Sequence, residues 1–197
     1  ERFRVGQEEI ITEIINKKPV LAVLPTGAGK SLCFQLPSLL MEGITLVISP
    51  LISLMKDQAE ALQERGIGAA YLDSSLTNNA YGKILYDTLT GRIKFLYVAP
   101  ERLANQQFVA FAKRANITLV AVDEAHCVSQ WGHSFRKDYY NIPDFIELLP
   151  RCPLVAAFTA TATEEVREDI LQRLKICGAK VVVSGFDRPN LNFKVQR

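Results

Sequence analysis

The stretch LAVLPTGAGKS, residues 21–31, decides how this chain is read. It opens inside a short apolar run, residues 20–24, that has strand length and strand composition. It breaks at Pro25, turns through Thr26, Gly27, Ala28 and Gly29, and ends on Lys30 and Ser31. An apolar, helix-forming run, residues 32–41, follows. Strand, glycine-rich turn and helix start together make a P-loop. The glycines let successive backbone N–H groups point into one concavity, and the helix N-terminus adds partial positive charge. Lys30 is placed to reach the β- and γ-phosphates of a nucleotide, and the Ser31 hydroxyl to ligate Mg²⁺. One position departs from the general pattern G-x-x-x-x-G-K-[ST]: Leu24 stands where the first glycine belongs. A bare glycine turn with a solvated lysine would share the GKS signature, so the flanking strand and helix carry the assignment.

Working outward, apolar helix patterns alternate with β-branched runs. Ile10, Ile11, Ile14 and Ile15 sit at helical spacing before the P-loop strand. Strands are expected at residues 45–49, 69–72, 94–98, 117–122, 154–158 and 180–183, with helices over residues 51–65 and 81–89. Thr161 and Glu164 have the spacing of a capping box ahead of a further helix. This alternation predicts an α/β fold with a doubly wound, mostly parallel sheet in one domain. Such sheets bind ligands at the carboxyl ends of their strands. The chemistry-bearing residues duly follow strands: 25–31, 50–54, 100–102, 123–124 and 159–161.

The totals exclude more than they identify. The chain has 197 residues, 48% of them hydrophobic and 22% charged, an ordinary balance for a globular domain. A formal charge of +2 is too small to argue for nucleic acid, so that argument must come from local residues. No apolar run approaches a membrane span, and no signal peptide is expected. Cys33, Cys127, Cys152 and Cys177 are scattered without a C-x-x-C pair, which argues against a metal cluster or disulfide framework and for an intracellular, cytosolic or nuclear setting. The first methionine is Met41, so the chain is expected to be part of a longer protein.

The strand at 117–122 runs straight into Asp123, Glu124, Ala125 and His126. In a P-loop fold, two acids after a buried strand fit the second half of an NTPase site. Asp123 would hold Mg²⁺ and Glu124 would polarise the attacking water. An acidic pair capping the next helix is the structural alternative.

With residues 25–31, the Asp-Glu-Ala-His sequence looks like motifs I and II of a superfamily 2 helicase, where the position of Leu24 is usually not glycine. The following run CVSQWGHSFR, residues 127–136, closely resembles the aromatic-rich loop of RecQ DNA helicases. SPLISLMKDQ (49–58), YVAPERL (97–103) and FTATAT (158–163) are similar to that family's motifs Ia, Ib and III. Phe3, Arg4 and Gln7 match the end of its motif 0, and FDRPNL (186–191) its exit toward a second RecA-like domain.

The resemblance implies a first RecA-like domain of an ATP-dependent, 3′-to-5′ DNA helicase that uses ATP and Mg²⁺. Its implied partners are single-stranded DNA, duplex junctions and a second RecA-like domain. The adenine-stacking aromatic of motif 0, the second domain with its arginine finger, and the zinc-binding region have no counterpart in these residues. By the same resemblance Gln7, helped by Arg4, would read the adenine edge. Trp131 and Phe135, interleaved with Gln130, His133 and Arg136, would stack on bases and pair with phosphate. Ser49, Pro50, Gln58, Pro100, Glu101 and Arg102 would serve DNA binding or coupling. His126, Thr159 and Thr161 would couple nucleotide state to domain closure. The rival readings are a DEAH-type RNA helicase core and a nucleotide-gated binding module.

Overall fold

The computed structural model describes residues 2–73, 75–131 and 135–184. His133 and the 186–191 segment therefore lie outside the described residues. Seven strands appear where seven are expected: β1 (Val20–Val23), β2 (Ile44–Ile48), β3 (Ala69–Leu72), β4 (Phe95–Val98), β5 (Ile117–Val122), β6 (Leu154–Thr159) and β7 (Lys180–Val183). Every recorded pairing is parallel, in the order β3-β4-β2-β5-β6-β1-β7. β1, β2, β4 and β5 bury nearly every side chain because helices cover both faces of the sheet.

The helices are α1 (Gln7–Ile15), α2 (Lys30–Leu40), α3 (Ile52–Gln63), α4 (Asn78–Leu89), α5 (Gln106–Ala112), α6 (Asn141–Glu147) and α7 (Glu164–Arg173). α1, α2 and α3 send Ile10, Ile14, Phe34, Met55 and Leu62 against one face, built from Ala22, Val47, Tyr97, Ala121 and Phe158. α5, α6 and α7 send Phe108, Phe111, Phe145, Val166 and Ile170 against the other, built from Leu46, Ile48, Val120, Val122 and Ala157. Alternating side chains along each strand thus feed two separate cores.

Two local expectations are corrected. α2 starts at Lys30, two residues earlier than its apolar pattern, because Gly29 turns left-handed (φ 80°) and begins the helix at once. α7 is capped by Thr163, whose hydroxyl accepts from the Val166 N–H at 3.3 Å, and not by Thr161. Thr161 is still leaving β6: its N–H and its carbonyl both meet the Thr159 hydroxyl.

The strand order explains where the site sits. β2, β5, β6 and β1 are four consecutive neighbours in the sheet. Their carboxyl ends deliver Ser49, Asp123, Thr159 and the P-loop side by side. β4 lies on the far side of β2, next to β3.

Candidate functional site

The P-loop leaves β1 at Leu24, whose N–H is still held by Thr159 O at 3.0 Å. Gly27 and Gly29 both adopt φ 80°. A Cβ at Gly29 would also stand 2.6 Å from Gln7 Nε2 and would push that amide off the loop. Gly29 offers no side-chain cap to α2, so no capping side chain competes with an anion at the start of the helix. Lys30 Nζ lies 3.4 Å from Leu24 O, across the turn.

Gln7 is buried, and both ends of its amide are engaged within the protein. Nε2 donates to Ala28 O at 2.9 Å, and Oε1 accepts from the Arg4 N–H at 2.9 Å. The Arg4 guanidinium donates to Gly27 O. The pair expected to read adenine thus fastens the start of α1 to the P-loop backbone.

Asp123 follows β5, its N–H donating to Ile48 O at 2.8 Å. Its carboxylate accepts from the Ser49 hydroxyl at 3.3 Å and from the Glu124 N–H at 3.0 Å. Burial, and then the charge of Glu124, push this carboxyl above its ordinary range, opposed by those hydrogen bonds and by Lys30. Glu124 is shifted the other way: the hydrogen bond from His126 holds it low, helped by Lys30 against burial. It occupies the left-handed region (φ 48°, ψ 45°), unusual for a residue with a side chain.

His126 Nδ1 lies 2.9 Å from Thr159 Oγ1 and 3.2 Å from Glu124 Oε2. Because the Thr159 hydroxyl donates to Thr161 O, its oxygen is free to accept from His126. The Cys127 sulfur and the Glu124 carboxylate raise His126 to about 9 against burial. The raised pKa favours the charged, hydrogen-bond-donating form of His126.

The residues expected to serve DNA binding or coupling have varied surroundings. Ser49 is buried on Asp123, where no strand can touch it, because β2 ends beside β5 in the sheet. Pro100 is buried. Arg102 donates to Asp73 O at 2.8 Å and lies over the Tyr81 ring, since β4 neighbours β3 and faces away from the acids. Gln58 is half-buried, with its Oε1 enclosed. Glu101, Gln130 and Thr161 are exposed. Pro50 lends its carbonyl to Arg136 at 3.3 Å.

The two aromatics of the 127–136 run separate sharply. Trp131 is 77% exposed. Phe135 is half-buried against Tyr140, ring centroids 5.3 Å apart. Sequence reasoning missed Tyr139, fully buried, whose hydroxyl donates to Asp123 O at 2.9 Å. An aromatic three residues past the end of the 127–136 run was the available signal, but nothing in its spacing pointed inward. All four cysteines are free thiols. A cavity of about 650 Å³ near Ile15, Met41, Thr118 and Leu154 sits at the opposite, amino edge of the sheet and holds none of these residues.

Residues 4–170 match the DEAD/DEAH box helicase family. The chain belongs to that family. It is similar to the ATP-dependent DNA helicase RecQ of Bacillus subtilis, 47% identical over 196 residues that cover 99% of this chain and 33% of that one. It is also similar to RecQ of Pasteurella multocida, 44% identical over 193 residues, 98% of this chain and 30% of the relative. The chain thus spans about a third of the length of these relatives. Among solved structures, the helicase domain of Pyrococcus furiosus Hef superposes with a TM-score of 0.71 at 22% identity, over 95% of this chain and 39% of that one. That likeness bears out the RecA-like fold. Among the described residues, no helix is long and apolar enough to cross a membrane.

Proposed function

We propose that this DEAD/DEAH box helicase chain is the first RecA-like, ATP-binding domain of a RecQ-type DNA helicase, working against a second RecA-like domain. One observation supports this above the rest. The carboxyl ends of four adjacent strands gather a P-loop lysine, an adjacent pair of carboxylates and a histidine 3.2 Å from one of them, and the aromatic-rich run leaves from the same edge.

In this reading the left-handed glycines and the first turn of α2 cradle the phosphates of ATP, and Lys30 neutralises the group in transfer. Mg²⁺ fits the donor set: the Ser31 hydroxyl, and an Asp123 carboxyl held high by burial and by a neighbouring negative charge that a cation would relieve. When bound, Mg²⁺ supplies charge neutralisation at the β- and γ-phosphates. Glu124, ionised at neutral pH, orients the attacking water. His126, its charged form favoured, holds Glu124 and reports on β6 through Thr159. Arg4 and Gln7 set the P-loop's position, and reading an adenine edge would require Gln7 to exchange its bonds to Ala28 O and Gly29 O for bonds to the base. Trp131 offers an exposed ring for stacking on an unpaired base, and the exposed Arg136 a charge for phosphate.

The test is ATP turnover of the full-length protein with single-stranded DNA, duplex DNA and RNA in parallel. Single-stranded DNA is expected to stimulate most, and Lys30→Ala to abolish turnover in every arm. Equal stimulation by RNA would favour an RNA helicase core. Absence of any stimulation would leave a nucleotide-gated binding module.

A further inference from the structure

The carbonyl of Asp123 belongs to the peptide that joins the two catalytic acids. This peptide lies past the end of β5, outside the sheet's regular hydrogen bonding, and it leads into the left-handed Glu124. A non-glycine residue persists in that conformation only where its surroundings over-determine it. This peptide plane bears on both carboxylates, because its N–H donates to Asp123 Oδ1 at 3.0 Å and it leads directly into the Glu124 backbone. Its oxygen is held by the Tyr139 hydroxyl at 2.9 Å.

The other end of Tyr139 belongs to the aromatic-rich run. Tyr139 sits in a single 3-10 turn, Lys137–Tyr140, and its N–H donates to Arg136 O at 3.1 Å. Arg136 is itself pinned by its N–H to Cys127 O at 2.9 Å and by its guanidinium to Pro50 O at 3.3 Å. The next residue, Tyr140, carries the Phe135 ring on one side and the Arg173 guanidinium 4.7 Å from its centroid. Any movement of Phe135 or Arg136 therefore reaches the backbone of Tyr139 within one turn, and its ring is too tightly enclosed to absorb the shift.

We propose that Tyr139 is a positioning residue, its hydroxyl linking the aromatic-rich run to the Asp123–Glu124 peptide so that an engaged DNA strand sets the orientation of the catalytic carboxylate. This rests on the reading of Glu124 as the water-orienting group and of the run as the strand contact. Tyr139→Phe keeps the packed ring and removes the link alone.

The experiment compares full-length wild type, Tyr139→Phe and Glu124→Gln. It measures turnover with and without single-stranded DNA, KM for ATP, strand affinity and melting temperature, with rates normalised to sites counted by a fluorescent ATP analogue. Loss of one hydrogen bond at the reacting centre predicts a drop of about tenfold in DNA-stimulated kcat. The DNA-free kcat should fall less, and KM and strand affinity should stay within about twofold. A stimulated kcat equal to wild type overturns the proposal. So does a loss that appears in KM or strand affinity, or one of equal size with and without DNA, as a purely structural tyrosine would give. If wild type shows no stimulation, or Glu124→Gln turns over normally, the underlying reading falls too. If both controls behave and Tyr139→Phe is unaffected, only the link is wrong.

Discussion

Glu124 and His126 carry the sharpest expectations at the scale of single residues. Glu124→Gln keeps the shape of the side chain and removes its negative charge. ATP should still bind and turnover should fall, a loss in kcat at little changed KM; loss of ATP binding instead would make Glu124 a ligand. His126 supplies a pH test. Its pKa is raised in the folded state to about 9 from an ordinary value near 6.5. A raised pKa contributes stability that is fully present below the unfolded value and fades as pH rises through the folded one. The melting temperature of wild type should therefore fall between about pH 6.5 and 9 more steeply than that of His126→Gln. Parallel slopes would mean that the imidazolium is not held by its neighbours.

At the scale of elements, the aromatic-rich run is where sequence and structure part company. By composition Trp131 and Phe135 look interchangeable, yet one ring stands in solvent and the other leans on Tyr140. Trp131→Ala should leave the melting temperature where it is while DNA stimulation of turnover collapses. Phe135→Ala should cost stability, about 1–2 kcal/mol for a half-buried ring against about 3–5 for a buried one. A melting scan beside the turnover assay separates the two. The strands were legible because apolar, β-branched runs bounded by turn residues have few other uses, and the P-loop because glycines followed by Lys-Ser leave little choice. The helices α5 and α6 escaped notice: seven residues each are too short to display a helical period. The partners of Ser49 and Arg102, and Tyr139 itself, were illegible for a different reason. Their neighbours come from other strands, and the order of strands in a sheet is not written in any local pattern.

The whole molecule presents a site whose proposed chemistry is shared between domains. Related NTPases receive an arginine in trans that is worth about a thousandfold or more in rate. Expressed alone, residues 1–197 are expected to bind ATP weakly, hydrolyse it slowly and separate no strands; unwinding by this piece would overturn the two-domain reading. The strand order has a consequence for how the chain comes into being. β1 lies between β6 and β7 and pairs with no other strand, Val20 standing opposite Ala156 and Lys180. As the polypeptide emerges from a ribosome, β2, β3, β4 and β5 can assemble among themselves, because they are mutual neighbours. The strand that carries the P-loop emerges before all of them and has no berth until residues 154–183 follow. During that interval an entirely apolar strand, VLAV, waits unpaired, the kind of segment that invites misassociation. A nucleotide that needs the P-loop held in the sheet therefore finds its site only after β6 and β7 have been made.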